Sequence, residues 1–470
     1  MACPAGYSLP EGHQNAPYAA ATEVLEPGQR IAFWDYDVMW TEDHIPASRL
    51  EPLRKIGDVL ADNAFEALQV KPGADALTAL RAYVARPECE QESPAPRLLM
   101  DQLMTVPDWV DWDKVRRGQD VYWRYSLFIS HALLHFSLAG GFVIPKITKV
   151  LNSTGYLSGK STKKRVLETQ QFVLDVVHSP EYLFPGTGTA WESIVQVRFL
   201  HAGVRARLAK ISRAHSKYYD MNEHGVPINQ EDLLATLFGF SNIMWRVMEA
   251  RMDIQMTTQE REDYLHLWRY VGYIMGVDDI LGAVRTPDRA DACIESITLH
   301  LSDPDTESGK MCATLLRHMA PKPLFIPREV LSAVGLPDPF KFHMALAESL
   351  LGPKLWKANG LPTMSRPYRF LRTVVMYFLY AELWVSSNFP WWLRIRKPLF
   401  LEFQYMMVRR HIGRNRTQFE LTEEPKLGNG GLDGQIDGWL QETYSQRIWP
   451  KLLTAASAAV GAALLMAPRK

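Results

Sequence analysis

Apolar residues recurring at helical spacing along nearly the whole chain are the feature that most limits its fold. From Pro46 onward, amphipathic segments follow one another and are broken by Gly and Pro. The spacing predicts helices over 54–68, 74–85, 112–138, 163–177, 190–212, 230–256, 261–275 and 288–300, then 340–351, 367–386 and 401–411. No stretch sustains the strict alternation of a half-buried strand. The fold class is therefore all-α, with one large helical domain over 46–420. Residues 1–45, rich in Pro, Gly and small side chains, read as an irregular lead-in. Residues 421–470 read as a Gly-rich tether followed by a hydrophobic tail.

Charge and cysteine usage exclude several function classes. Lys and Arg number 52 and Asp and Glu also 52, so nothing favours nucleic acid as a partner. A hydrophobic content of 47% suits a globular or peripheral membrane protein, not a polytopic one. Cys3, Cys89, Cys293 and Cys312 are scattered and form no CxxC pair, which points to reduced thiols rather than a cysteine metal site. The first residues lack a basic and then apolar pattern, so no secretory signal is expected.

Near the other end, residues 452–468 form 17 uncharged positions bounded by Lys451 and by Arg469 with Lys470. At roughly 1.5 Å per residue this falls just short of a ~30 Å hydrocarbon core. It reads as a tail anchor to an intracellular membrane or as a docked helix, and a cytoplasmic location is the alternative. A second membrane candidate is FPWWLRIRKPLF at 389–400, where tryptophans and cations mix as they do at bilayer interfaces.

Chemistry concentrates in VQVRFLHAGVRARL, residues 195–208. Ile194, Val197, His201, Val204 and Leu208 share one helical face, and Arg198 and Arg205 border it. A buried imidazole there is either a core histidine bonded to a carbonyl or a ligand to an iron porphyrin, with the guanidiniums on its propionates. Upstream, Arg165 and Thr169 stand four apart, sharing a face with Phe172 and Val176, which is either an ordinary helix surface or a polar end to an apolar site. His131 and His135 are one turn apart in HALLH. That spacing can chelate a metal, but it lacks a zincin glutamate and also suits core histidines or a pocket wall. In the segment 224–241, Asn229 caps a helix whose first turn holds Glu231 and Asp232, a pattern that helix initiation explains. The G-x-G of FPGTGTAW follows a helix rather than a strand, which argues against a dinucleotide loop.

Taken in order, R-x-x-x-T at Arg165 and Thr169, V-R-x-x-H-A-x-V-R at 197–205 and G-x-P-I-N-Q-E-D at 225–232 resemble the rubber-oxygenase (latex-clearing protein) family, which includes the ER-bound mpaB-type oxygenases. The segment VPDWVDWDKVRRGQ at 106–119 is similar to that family too, and the resemblance covers about residues 100–300. It implies an all-helical protein with a globin-like core and a b-type haem. His201 would be the proximal iron ligand, Arg198 and Arg205 would serve the cofactor, and Arg165 and Thr169 would match the distal pair. Members cleave carbon–carbon double bonds with dioxygen, in polyisoprene or in a prenyl side chain of a small metabolite.

Two departures from that pattern bear on the substrate. The rubber-cleaving branch has a lysine before the distal threonine, where this chain has Glu168. It also has an acidic residue shortly upstream of the arginine, whereas residues 144–164 here contain no Asp or Glu. The base would be Glu168 or a group from elsewhere. The expected function is a haem-dependent oxygenase acting with dioxygen on a lipophilic, prenylated or unsaturated small molecule. The alternatives are a non-catalytic haem carrier or sensor and a cofactor-free helical scaffold.

Overall fold

Side chains that accept backbone N–H groups mark where many of the long helices begin. In a computed structural model of the chain, the described residues are 16–413 except 72, 154–159, 217 and 321–337, and the side chains of residues 16, 17, 90, 160 and 161 are likewise outside the description. The longer helices, in chain order, are α1 (Val59–Leu68), α2 (Ala76–Val84), α3 (Ala95–Met104), α4 (Trp112–Ala132), α5 (Pro145–Ser153), α6 (Lys160–Val176), α7 (Thr189–Ala214) and α8 (Gln230–Phe240). They continue with α9 (Asn242–Met252), α10 (Thr258–Met275), α11 (Pro287–Leu301), α12 (Thr306–Met319), α13 (Pro339–Leu351), α14 (Arg366–Asn388) and α15 (Pro390–Ile412). Asp58, Asp111 and Asn229 cap α1, α4 and α8 through their side-chain oxygens. Thr257 with Glu260 forms a capping box on α10, and Asp305 with Ser308 forms one on α12. The all-α expectation holds, and every described residue lies within one compact unit spanning 1–425.

The expected helices appear with local corrections. The run 230–256 divides at Ser241, whose hydroxyl donates to the Leu237 carbonyl at 3.0 Å and so competes with the helical ladder. The run 112–138 starts as α4 but widens to a π-helical turn over Leu133–Leu138. There His135 Nδ1 lies 3.0 Å from the His131 carbonyl, a side chain inserted into the ladder. Helices α3, α5 and α12 were not expected. The lead-in is also more ordered than its composition suggested: Ala16–Ala21 is helical, and Arg30–Phe33 (β1) pairs antiparallel with Tyr36–Met39 (β2). Ile31, Phe33, Val38 and Trp40 bury one face of that hairpin against Leu299 of α11.

The core holds α4 and α10 in close approach. A Cβ on Gly118 of α4 would collide with the Asp263 carbonyl of α10, so only glycine lets the backbones meet there. Buried tryptophans bridge elements through their N–H groups: Trp123 donates to the Val177 carbonyl at 2.7 Å and Trp191 to the Leu103 carbonyl at 3.0 Å. Among the described residues no single helix is long and apolar enough to cross a membrane. Residues 112–141 with 145–153 have the length and composition of a broken span, bent by 92°, but Tyr122, Trp123, Phe128 and Ile129 are buried inside the protein. The candidate tail at 452–468 lies outside the described residues.

Candidate functional site

Helices α6, α7, α8, α10 and α11 and the π-helical turn after α4 surround a cavity of about 900 Å³. That volume is near the upper end of the ~300–1,000 Å³ typical of small-molecule sites. Its wall is mostly apolar, with Leu133, Leu134, Phe142, Ile147, Phe172 and Trp268 among the lining side chains. The π turn turns Leu133, Leu134, Ser137 and Leu138 inward. His131 and His135 are not on the cavity wall, in contrast to one of the sequence expectations.

His201, from the middle of α7, lines this cavity. Burial, reinforced by the nearby Arg205 charge, pushes its imidazole down to about 3, so it is neutral at physiological pH. Its Nδ1 is buried without a hydrogen-bond partner. A buried polar atom left unpaired costs about 1–3 kcal/mol and calls for a ligand or a bound water. A neutral imidazole with an uncommitted ring nitrogen in an apolar cavity is the donor chemistry that haem iron requires.

Arg165, Glu168 and Thr169 of α6 reach the same cavity. Arg165 Nη1 donates to Glu168 at 3.0 Å, and Lys164 Nζ lies 3.7 Å from the same carboxylate. The Thr169 hydroxyl donates to the Arg165 carbonyl at 3.1 Å, which leaves its lone pairs available to accept. Glu168 is buried, so its charge is balanced by these two cations rather than by water.

The two arginines of α7 are placed differently from the expectation. Neither Arg198 nor Arg205 lines the cavity. Arg198 grips Asp58 through Nε at 2.6 Å and Nη2 at 3.1 Å, and also donates to Gln102 and to the Ile274 carbonyl. Arg205 Nε contacts both Asp62 oxygens, at 2.7 and 3.0 Å. Asp58 and Asp62 are four apart at the start of α1, so the arginines clamp α1 onto α7. Both guanidiniums thus hold carboxylates of α1, Asp58 buried and Asp62 half-buried, although Arg205 Nη2 is itself buried without a hydrogen-bond partner.

Sequence reasoning missed Asp232. It had been absorbed into helix initiation, and its backbone N–H does donate to Asn229 Oδ1 at 3.0 Å. Its side chain, however, also lines the cavity. Asn229 Nδ2 donates to its carboxylate at 2.8 Å and Arg54 Nη1 at 3.2 Å. Burial, with Glu231 beside it, still raises it to about 6, so it exchanges a proton near neutrality. Arg246, tied to Asp291 and Glu295, forms another charged part of the wall. Only a contact map could have placed these groups, because they come from α8, α9 and α11.

His131 and His135, both buried, and the half-buried His343 form a chain: His131 Nδ1 lies 2.9 Å from His135 Nδ1, and His135 Nε2 lies 2.8 Å from His343 Nδ1. His135 uses opposite edges of its ring for its two neighbours, so the three do not converge. Among the described residues no three His, Cys, Asp or Glu side chains are placed to hold a metal ion. Burial lowers His131 and His343 to about 4 each and His135 well below its usual value.

An all-helical protein with a large apolar cavity, entered by a neutral histidine and a polar cluster, has the architecture of a binding site for a lipophilic small molecule. The family model for the catalytic domain of the ER-bound oxygenases mpaB/B′ and rubber oxygenase matches residues 123–379, and the chain belongs to that family of oxygenases. A curated relative, the rubber oxygenase of Streptomyces sp. (strain K30), is 25% identical over 186 residues, 39% of this chain and 43% of that protein. The match therefore spans less than half the length of that relative. The structure of latex clearing protein LCP in the closed state covers 79% of this chain and 95% of that one, with a TM-score of 0.50 and 18% identity, a likeness of fold.

Proposed function

We propose that this protein is a haem-dependent oxygenase that oxidises or cleaves a double bond in a lipophilic, prenylated or unsaturated small molecule with dioxygen. The observation that carries the reading is His201: a neutral imidazole, with a buried unpartnered nitrogen, on the wall of an apolar cavity. The site fits haem b at its iron ligand; of the two expected propionate arginines, Arg198 is engaged by Asp58, while Arg205 pairs with Asp62 through Nε and keeps Nη2 unpartnered. Bound there, the haem would supply the dioxygen chemistry.

This chain's residues supply geometry, dryness and proton control. The apolar wall holds the hydrocarbon chain of the substrate and excludes water. Arg165 and Thr169 orient polar atoms at the α6 side of the cavity, and Glu168 fixes Arg165. Two carboxyls can handle a proton. Glu168 is paired with Lys164 and Arg165, and Asp232, raised to about 6, is suited to exchange a proton near neutrality. Oxygen consumption by the haem-loaded chain with prenylated substrates tests the reading. Turnover supports it, and stoichiometric haem without oxygen consumption assigns a carrier or sensor instead.

Residues 452–468 are proposed as the tail that attaches the protein to an intracellular membrane. Their deletion should move a share of the protein to the soluble fraction, and unchanged sedimentation with membranes would remove that role.

A further inference from the structure

Helices α14 and α15 carry an outer face that the other described residues leave uncovered. Of the 23 residues of α14, only Tyr368 and Ser386 are buried. Phe370, Tyr377 and Trp384 recur every seven residues and so share one side of α14. They are 71%, 70% and 61% exposed, in a chain whose other large aromatics are mostly interior. On α15, Trp391, Ile395 and Leu399 repeat at four-residue steps and are 51%, 50% and 67% exposed. Contiguous exposed apolar surface of this kind marks an interaction site rather than an ordinary surface.

Charge identifies the partner. Residues 366–412 hold eight Lys or Arg and two Asp or Glu, although the whole chain is neutral. Three of these cations are paired, Arg396 with Glu382 at 2.8 Å, Lys397 with Asp120 at 3.1 Å and Arg369 with Glu348 at 4.0 Å, and an excess of arginines over Glu402 is left. Arg366, Arg394 and Arg409 are exposed among or beside the aromatic stripes. Large aromatics at the surface, flanked by arginines, match the headgroup layer of a bilayer with anionic lipid. Because no described helix is long and apolar enough to cross a membrane, contact through this face is with the bilayer surface.

We propose that the outer face of α14 and α15 docks on an anionic bilayer surface. The face lies directly behind the site: Gln170 on α6, next to Thr169, donates to Gln404 on α15 at 2.5 Å. Docking would therefore hold the α6 wall of the cavity next to the phase where a lipophilic substrate dissolves. Only that last consequence rests on the oxygenase reading; the docking stands without it.

The test is vesicle flotation of the full chain with phosphatidylcholine vesicles and with phosphatidylcholine–phosphatidylserine vesicles, each at low and high salt. Wild type is expected to float with the anionic vesicles and to lose part of that binding at high salt. The double variant Phe370→Glu/Leu399→Glu changes two exposed positions of that face, so its circular dichroism should match wild type. Its partitioning should fall at least about tenfold, from the apolar area no longer inserted. Arg394→Glu/Arg409→Glu should remove the preference for anionic vesicles. A double variant that floats like wild type would overturn the proposal, since the tail or another segment would then be the attachment. So would a wild type that fails to float and runs as a dimer, because the face would then cover a second copy.

Discussion

At residue scale, the neutrality of buried imidazoles has a consequence for acid stability. His201 is pushed to about 3 and His131 and His343 to about 4, while an unfolded histidine titrates near 6.5. Below about pH 6.5 the unfolded chain takes up protons that these folded side chains refuse. Stability therefore falls with pH, by about 1.4 kcal/mol per pH unit for each group, down to about pH 4 for the pair and about pH 3 for His201. Asp232 opposes this, because its folded carboxyl, raised to about 6, binds a proton before an unfolded one at about 3.9. With His135, also lowered well below its usual value, four imidazoles stand against Asp232 and against Asp62, Glu249 and Asp291, which burial also raises. Urea unfolding from neutral pH down to about pH 5 should show the midpoint dropping steadily, and a flat midpoint would contradict these assignments. Asp232 also makes a kinetic prediction: Asp232→Asn should lower kcat by roughly a hundredfold and remove the rise of rate through about pH 6. Retention of that pH limb in the variant would contradict the assignment of the proton to Asp232.

The element scale shows where local pattern was sufficient. Amphipathic spacing located the long helices of the core, and capping residues such as Asn229 marked their starts, because both signals are carried by neighbours in sequence. The split at Ser241 and the widened turn at Leu133–Leu138 were not legible, since each depends on a side chain bonding a backbone carbonyl in the folded chain. The hairpin of β1 and β2 was hidden for a different reason: its strands are four residues each, too short to show alternation. Arg198→Ala leaves Asp58 buried and unpaired, and should destabilise the fold by about 3–5 kcal/mol. A variant of wild-type stability that had lost only its haem would restore the propionate role.

For the whole molecule, the three ordered motifs around Arg165, His201 and Gly225 pointed to the family, and the family model over 123–379 agrees with them. His201, Arg165, Glu168 and Thr169 do meet at one cavity, which their spacing could suggest because two helices carry them all. Asp232 and Arg246 reach the same cavity from elsewhere, and Arg198 and Arg205 turn away from it, since the pairing of distant helices decides these placements. The cavity is suited to a lipophilic substrate, and the proposed docking of the α14 and α15 face would bring it to the phase where such a substrate dissolves.

The most direct test of this account is an absorption spectrum of the purified, haem-reconstituted full chain, wild type beside His201→Ala. The account predicts a Soret band at one haem per chain in wild type and its loss in the variant, with matching circular dichroism. Full haem occupancy in His201→Ala, or no Soret band in wild type, would contradict it.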